Sequence, residues 1–393
     1  MSSSFGNNLH YTLFGESHGA AIGITVQGLP HGFSFDFLKI EQQLDLRSGK
    51  KNFNTPRQEK NNYQILSGYF NNLTTGAPFT VIFPNNDTQS KDYSKLQNIP
   101  RPGHADYVAQ NKFEQHNDFR GGGHFSGRLT TPLVFLGAMI EQIMKKDFPA
   151  LKIASHIKQL QDIQDDSYYE MRKQLIAQTF NLQPNEQIDA GYLIDTFEND
   201  DLFTDYTDKL TTLENAFTQL EKEFPVANKK QKKSMLQMIE QARETKTSLG
   251  GNIETIVFNP PIALGEPFFH SVESIISSLL FSVGSVKSVH FGFGDNFITA
   301  QGHQVKDEIL QIKDGRIATL YNYNGGINGG ITNGEDLVVS TTFKPISSIG
   351  QIQNSFNIET DKIEQLSIDG RHDVTIVNRI IPVIESMILI GLY

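Results

Sequence analysis

Glycine falls in clusters in this chain, and the clusters limit what it can build. Residues 120–132 read RGGGHFSGRLTTP, with three glycines in a row, and residues 324–334 read NGGINGGITNG, with two further pairs. Glycine loses more backbone entropy on ordering than any other residue, so a run of three makes neither a good helix nor a good strand. Such runs suit a chain that must take left-handed backbone angles or let another group approach the main chain closely. They predict short elements joined by glycine turns, with bare amides presented either to a packed helix or to a flat or phosphorylated ligand.

The pattern between the clusters agrees. Over residues 1–130, short apolar runs such as AAIGITVQGL and APFTVIFP alternate with turn residues and read as strands of a glycine-rich sheet. TPLVFLGAMIEQIMKKDFP then carries apolar residues at a spacing of three to four, with Pro132 near its start and Pro149 beyond its end, and predicts a helix. Residues 160–248 are more polar and helix-patterned, and the basic run KKQKK inside them reads as a solvated helix start. After residue 250 the opening character returns. NIETIVFNPP, SVKSVHFGFG and DLVVSTTFKP predict strands, while HSVESIISSLLFSV and VTIVNRIIPVIESMILIGLY predict helices. A sheet and helix pattern thus occurs twice around a polar helical insertion at 160–248, with no linker of low complexity between. The expectation is a single α+β domain over 1–393 with pseudo-duplicated halves.

Composition narrows the function. The net charge of −10 disfavours nucleic acid and anionic membrane as partners, since neither gathers on an acidic surface. The chain has no cysteine, which removes disulfides and thiolate chemistry, and no HExxH or DxDxDG pattern marks a metal. The opening residues lack a basic segment followed by an apolar run, and no stretch reaches the ~18 apolar residues of a membrane span, so a cytoplasmic protein is expected.

Four turns concentrate the polar chemistry. FGESHG at 14–19 sets Glu16, Ser17 and His18 between glycines, and RPGHADY at 101–107 sets Arg101, His104 and Asp106 around a Pro-Gly turn. Arginine binds a phosphate or carboxylate bidentately and a neighbouring histidine can supply a proton, which suits an anionic leaving group. The alternative for each is an exposed turn with a local ion pair. FKPISSIG at 343–350 offers Lys344, Ser347 and Ser348, which can hold a phosphate but equally describe a strand end. DGRHD at 369–373 groups Arg371, His372 and Asp373. The glycine run lacks the Lys-Ser/Thr end of a nucleotide-binding P-loop, and no serine lies in GxSxG, so ATP binding and serine hydrolysis are poor fits.

Taken in order over nearly the whole chain, FGESHG, NNDTQSKDY at 85–93, RPGHADY, GGGHFSGR, NGGINGG, KPISS and GRHD resemble the chorismate synthase family. The resemblance implies a layered sandwich of antiparallel sheets around a helical layer, assembled as a homotetramer. It implies a lyase of the shikimate pathway, which leads to aromatic amino acid biosynthesis. The reaction is the 1,4-anti elimination of phosphate from 5-enolpyruvylshikimate 3-phosphate to give chorismate, with reduced FMN required and NADP among the family's ligands.

By the same resemblance, His18, His104 and Asp373 look like the catalytic residues. His124, Phe125, Ser126, Gly284, Ser285, Gly329, Lys344, Pro345, Ile346, Ser347, Ser348 and Arg371 look like the flavin contacts. Arg47, Arg101, Arg128 and Arg371 look like substrate ligands. The chain departs from the family in DLRSGKKNFNTPRQE at 45–59, where Asp45, Leu46 and Asn52 stand near positions at which arginine is usual. Lys50 and Lys51 supply charge there without the guanidinium fork. That departure keeps open a second reading, a flavin-binding homologue with altered or lost substrate specificity.

Overall fold

The computed structural model describes residues 3–6, 8–49, 62–85, 97–179, 200–313, 315–368 and 373–393. The first half opens with β1 (Ser4–Phe5), β2 (His10–Gly15) and β3 (Ala21–Gln27), passes through α1 (Phe37–Ser48), and returns as β4 (Gln64–Ser67) and β5 (Phe79–Pro84). A short helix α2 (Asp106–Lys112) and the long α3 (Thr130–Asp147) complete it. Its strands form one antiparallel sheet in the order β1-β2-β3-β5-β4. Alternation explains the inward face: Ile22, Ile24 and Val26 of β3 and Phe79, Val81 and Phe83 of β5 are all buried.

The second half repeats this plan. It runs through β6 (Lys152–Leu160) and β7 (Ile163–Gln164), then α4 (Tyr168–Thr179), α5 (Asp200–Thr218) and α6 (Lys229–Glu244). It continues through β8 (Gly251–Phe258), α7 (Val272–Ser282), β9 (Val286–Phe291), β10 (Leu337–Phe343) and α8 (Val377–Leu392). The second sheet has the order β9-β10-β8-β6-β7, again antiparallel. Leaving aside β1 and β7, both halves follow strand, strand, helix, strand, strand, helix, with spatial orders β2-β3-β5-β4 and β6-β8-β10-β9. The duplication legible in the sequence is therefore a duplication of topology. The five-residue turn between β2 and β3 corresponds to the long connection between β6 and β8, which contains α4, α5 and α6.

Helices α1, α3, α7 and α8 lie between the two sheets and share one apolar core with them. Phe135 of α3 packs against Phe79 and Phe83 of the first sheet and against Phe37 and Tyr63. Helix α8 is buried on nearly every side, as an apolar helix sealed inside a layer must be. It crosses α3 where Gly137 leaves no side chain, since a Cβ there would come 2.2 Å from that of Ser386. A second cluster covers the outer face of the second sheet, with Tyr168, Ile176, Tyr206, Leu213 and Phe217 on Ala154, Ile256, Phe258 and Val338.

Three elements differ from the sequence reading. The first 130 residues contain helices as well as strands: α1 uses only Phe37, Ile40 and Leu44 at helical spacing and is capped by Asp36, which accepts from the Leu38 amide at 3.1 Å. Asp106 belongs to the start of α2 and not to a turn. Strand β6 escapes periodicity because its fully buried residues include His156. Among the described residues no helix is long and apolar enough to cross a membrane.

Candidate functional site

The glycine run forms a hub. Gly121, Gly122 and Gly123 all hold positive φ, at 59°, 84° and 53°, in the loop that enters α3. A Cβ on Gly121 would meet His18 Cε1 at 2.1 Å, and one on Gly122 would lie 3.5 Å from His104 Cε1 and 3.8 Å from His104 Nε2. Two histidines from turns eighty-six residues apart thus press on consecutive glycines. The bare backbone at Gly121 and Gly122 admits them, and a Cβ on Gly123 would lie 1.9 Å from the Asp118 carbonyl oxygen, which accounts for the third glycine.

Each turn is tied to this hub. The Ser17 amide donates to the Gly123 carbonyl at 3.1 Å, and Ser17 Oγ lies 3.1 Å from His18 Nδ1. His124 is held from both sides, with Nδ1 2.9 Å from the Gly15 carbonyl and Nε2 3.0 Å from Ser3 Oγ. Arg128 Nε donates to Asn85 Oδ1 at 2.7 Å, and the Asn85 amide donates to the carbonyls of Glu16 and Gly19. Ser126 Oγ accepts from the Arg128 amide, while Phe125 stands 45% exposed beside the loop.

The RPGHADY turn forms a triad in which Arg101 and Asp106 are buried and His104 is partly exposed. Arg101 Nε donates to Asp106 Oδ2 at 2.7 Å and Nη2 to Oδ1 at 2.8 Å, while Nη1 donates to Ser348 Oγ at 3.0 Å. His104 Nδ1 lies 2.6 Å from Asp106 Oδ1. Burial pushes the Asp106 carboxyl up, but the hydrogen bonds from Arg101 and His104 outweigh it and hold the group well below the usual carboxylate range. From the second half, Lys344 Nζ and Ser347 Oγ both donate to the Gly103 carbonyl, and the Lys344 amide donates to Ser285 O at 2.9 Å. Burial, with Lys287 adding to it, lowers the Lys344 ammonium from its ordinary value.

The structure therefore brings His18, His124, Ser126, Arg128, Arg101, His104, Ser285, Lys344, Ser347 and Ser348 into one connected network. Pro345 and Ile346 lie in the same turn, which the Ser248 hydroxyl anchors through the Ile346 carbonyl at 2.7 Å. Gly284 adjoins Ser285 with open space where a Cβ would project. Arg47 and Asp373 join through the helix starts. Arg47 Nε donates to Thr130 Oγ1 and Nη2 to the Gly127 carbonyl, both at 2.9 Å, and Arg379 bridges the Arg47 carbonyl to the Asp373 carboxylate. Gly329 is placed differently, in the hairpin Ile327–Asn328 with Ile331–Thr332, whose Gly330 carbonyl accepts from the Val272 amide at the start of α7. Arg371, Lys50 and Lys51 lie outside the described residues.

Sequence reasoning passed over Ser3, Asn85 as a bridge, and Arg379. Only Asn85 carried a signal, as the first residue of a quoted motif. A cavity of about 610 Å³ lined by Tyr107, Gln110, Asn111, Phe119 and Phe356, among others, includes none of the expected site residues. At Gly127 and Gly284 nothing lies within 4 Å of the point a Cβ would occupy, as is also true of Gly32, Gly302 and Gly329.

Residues 9–393 match the family model described as chorismate synthase. The chorismate synthase of Thermococcus gammatolerans is 34% identical over 383 residues, covering 98% of this chain and 94% of the relative. That of Lancefieldella parvula is 34% identical over 394 residues, covering 100% of this chain and 95% of the relative. A crystal structure of a chorismate synthase superposes with a TM-score of 0.64 at 21% identity, over 98% of this chain and 90% of that one, which shows the shared fold.

Proposed function

The chain belongs to the chorismate synthase family, and from that membership we propose that it is a lyase converting 5-enolpyruvylshikimate 3-phosphate to chorismate and phosphate. The observation that carries the proposal is the meeting of His18 and His104 on Gly121 and Gly122, with cationic side chains around them. Breaking the allylic C–O bond builds negative charge on the departing phosphate. A positioned acid and preorganised cations lower that barrier, one such donor contributing about 3 kcal/mol.

His104 is the proposed acid beside the leaving phosphate, and His18 the proton donor on the other side of the glycine loop. Arg128 is the proposed anion ligand of the loop. Arg101 and Arg47 spend donors on Asp106, Ser348, Thr130 and Gly127, so we assign them to shaping the pocket as much as to holding substrate.

The residues fit FMN. The open spaces at Gly127 and Gly284, the exposed face of Phe125, and the hydroxyl and ammonium donors of Ser126, Lys344 and Ser347 provide a bare surface for rings and a polar end for a phosphate. When bound, reduced FMN supplies the electron-rich ring system against which the allylic bond weakens. Asp373, held by Arg379, is the proposed positioning group for the flavin. We further propose a cytoplasmic homotetramer.

The test is anaerobic assay of phosphate release and chorismate formation with chemically reduced FMN, beside a flavin fluorescence titration. Both products in equal amount support the lyase. The inward commitment of Arg47 and Arg101 favours one alternative, a flavin-binding homologue of other specificity, and flavin binding without phosphate release would establish it.

A further inference from the structure

We infer that Asp106 is a positioning residue for His104: its buried carboxylate takes the Nδ1–H of the imidazole and so leaves Nε2, on the side of Gly122, as the nitrogen that exchanges the proton. The inference rests on the reading of His104 as the proton donor. It concerns a residue that touches neither substrate nor cofactor and acts through the ring it holds.

Two groups compete for His104 Nδ1. Asp106 Oδ1 lies 2.6 Å from it and Arg101 Nη2 lies 3.0 Å from it. One ring nitrogen cannot satisfy both. A guanidinium has no acceptor, so pairing with Arg101 requires a bare Nδ1, whereas pairing with the carboxylate requires Nδ1–H. The shorter contact, the opposite charges and the prior commitment of Arg101 Nη2 to Asp106 Oδ1 at 2.8 Å all favour the carboxylate. Nδ1 therefore keeps its proton, and Nε2 is the nitrogen that gains and loses one. The Cε1 and Nε2 edge of the ring lies on the side of Gly122.

Asp106 is built to stay ionised for this task. Its side chain is 7% exposed, and it accepts from Arg101 at Nε, Nη2 and the backbone amide. Sitting at the first position of α2, it directs its carboxylate onto Arg101 and His104. A fixed anion on one side of an imidazole stabilises the imidazolium and fixes the tautomer of the neutral ring. The charged and titratable groups around the ring are Arg101 and Asp106 on its own segment, Lys344 at the Gly103 carbonyl, and His18 across Gly121 and Gly122.

The deciding experiment uses the full chain labelled with ¹⁵N-histidine. Long-range ¹H–¹⁵N correlation should show neutral His104 as the Nδ1–H form with Nε2 bare; an Nε2–H form would overturn the inference without any variant. In Asp106→Asn, the Nδ1–H preference of neutral His104 should weaken, and kcat for phosphate release should fall about 10²-fold with KM within about threefold. Asp106→Glu, which restores the charge, should recover part of that loss. An unchanged tautomer together with an unchanged kcat in Asp106→Asn refutes the positioning role. If that variant fails to fold because Arg101 is left buried without a counter-charge, the wild-type tautomer still decides. Absence of phosphate release by the wild-type chain would sink the lyase reading separately, since the nitrogen spectrum needs no turnover.

Discussion

Gly121 and Gly127 are six residues apart in one loop, and a single methyl group separates their roles. At Gly121 the backbone is left-handed and a Cβ would stand 2.1 Å from His18 Cε1. At Gly127 nothing lies within 4 Å of that point. Gly121→Ala should cost about 1–3 kcal/mol through backbone strain and push His18 from the hub, lowering both the melting temperature and flavin affinity. Gly127→Ala should stay within about 0.5 kcal/mol in thermal unfolding, and any effect on flavin titration would locate the ligand at the loop. Equal behaviour of the two would contradict the packing. Asp106 gives a residue-scale pH signature as well. Its folded carboxyl is depressed below the ordinary 3.8, so the stability it adds is full above that pH and is lost as pH falls through the lower folded value. The acid limb of wild-type unfolding should therefore flatten in Asp106→Asn.

At the scale of elements, the connection between β6 and β8 is held to its sheet by a buried charge cluster. His156 lies 3.0 Å from Asp165 Oδ2 and 3.1 Å from Glu254 Oε2, Lys158 donates to Glu254 at 2.8 Å, and Asp165 accepts from the amides of Ala227 and Asn228 ahead of α6. Burial lowers the His156 pKa, but the two carboxylates overcome it and raise the group above 6.5. Hydrogen bonds and Lys158 likewise outweigh burial at Glu254, which falls to about 2. A raised histidine contributes stability that is full below pH 6.5 and is lost as pH climbs through the folded value. His156→Gln should lose about 3 kcal/mol, remove that alkaline slope, and expose the connection to limited proteolysis before the rest of the chain. The same residue shows why the sequence was only partly legible. Apolar alternation and helical spacing announced β3, β5, α3 and α8, but β6, whose fully buried residues include His156, carries no such pattern and was not announced. The turns of the site were visible as motifs because glycine and proline mark them. Their partners Ser3 and Arg379 were not, since a single polar residue gains its meaning only from what the fold sets beside it.

Over the whole molecule, charge and architecture pull in opposite directions. The chain carries a net charge of −10, yet the proposed substrate, with two carboxylates and a phosphate, is itself strongly anionic and must reach the proposed site where residues of the two halves meet. The first half supplies His18, His104, Arg128 and the glycine hub; the second closes it with Lys344, Ser347, Ser348 and Asp373. Both central helices, α3 and α8, begin at this seam, where Arg47 and Arg379 link them, and helix starts add partial positive charge. Salt separates the two influences. At physiological ionic strength the screening length is about 8 Å, so distant surface carboxylates are already muted, whereas cations beside the proposed site are not. Raising salt from about 0.05 to 0.5 M should then lower kcat/KM severalfold, because it weakens attraction at the seam more than repulsion from the surface. A rise in kcat/KM with salt would mean that net charge governs the encounter, and the cationic seam between the halves would lose its proposed role in capturing substrate.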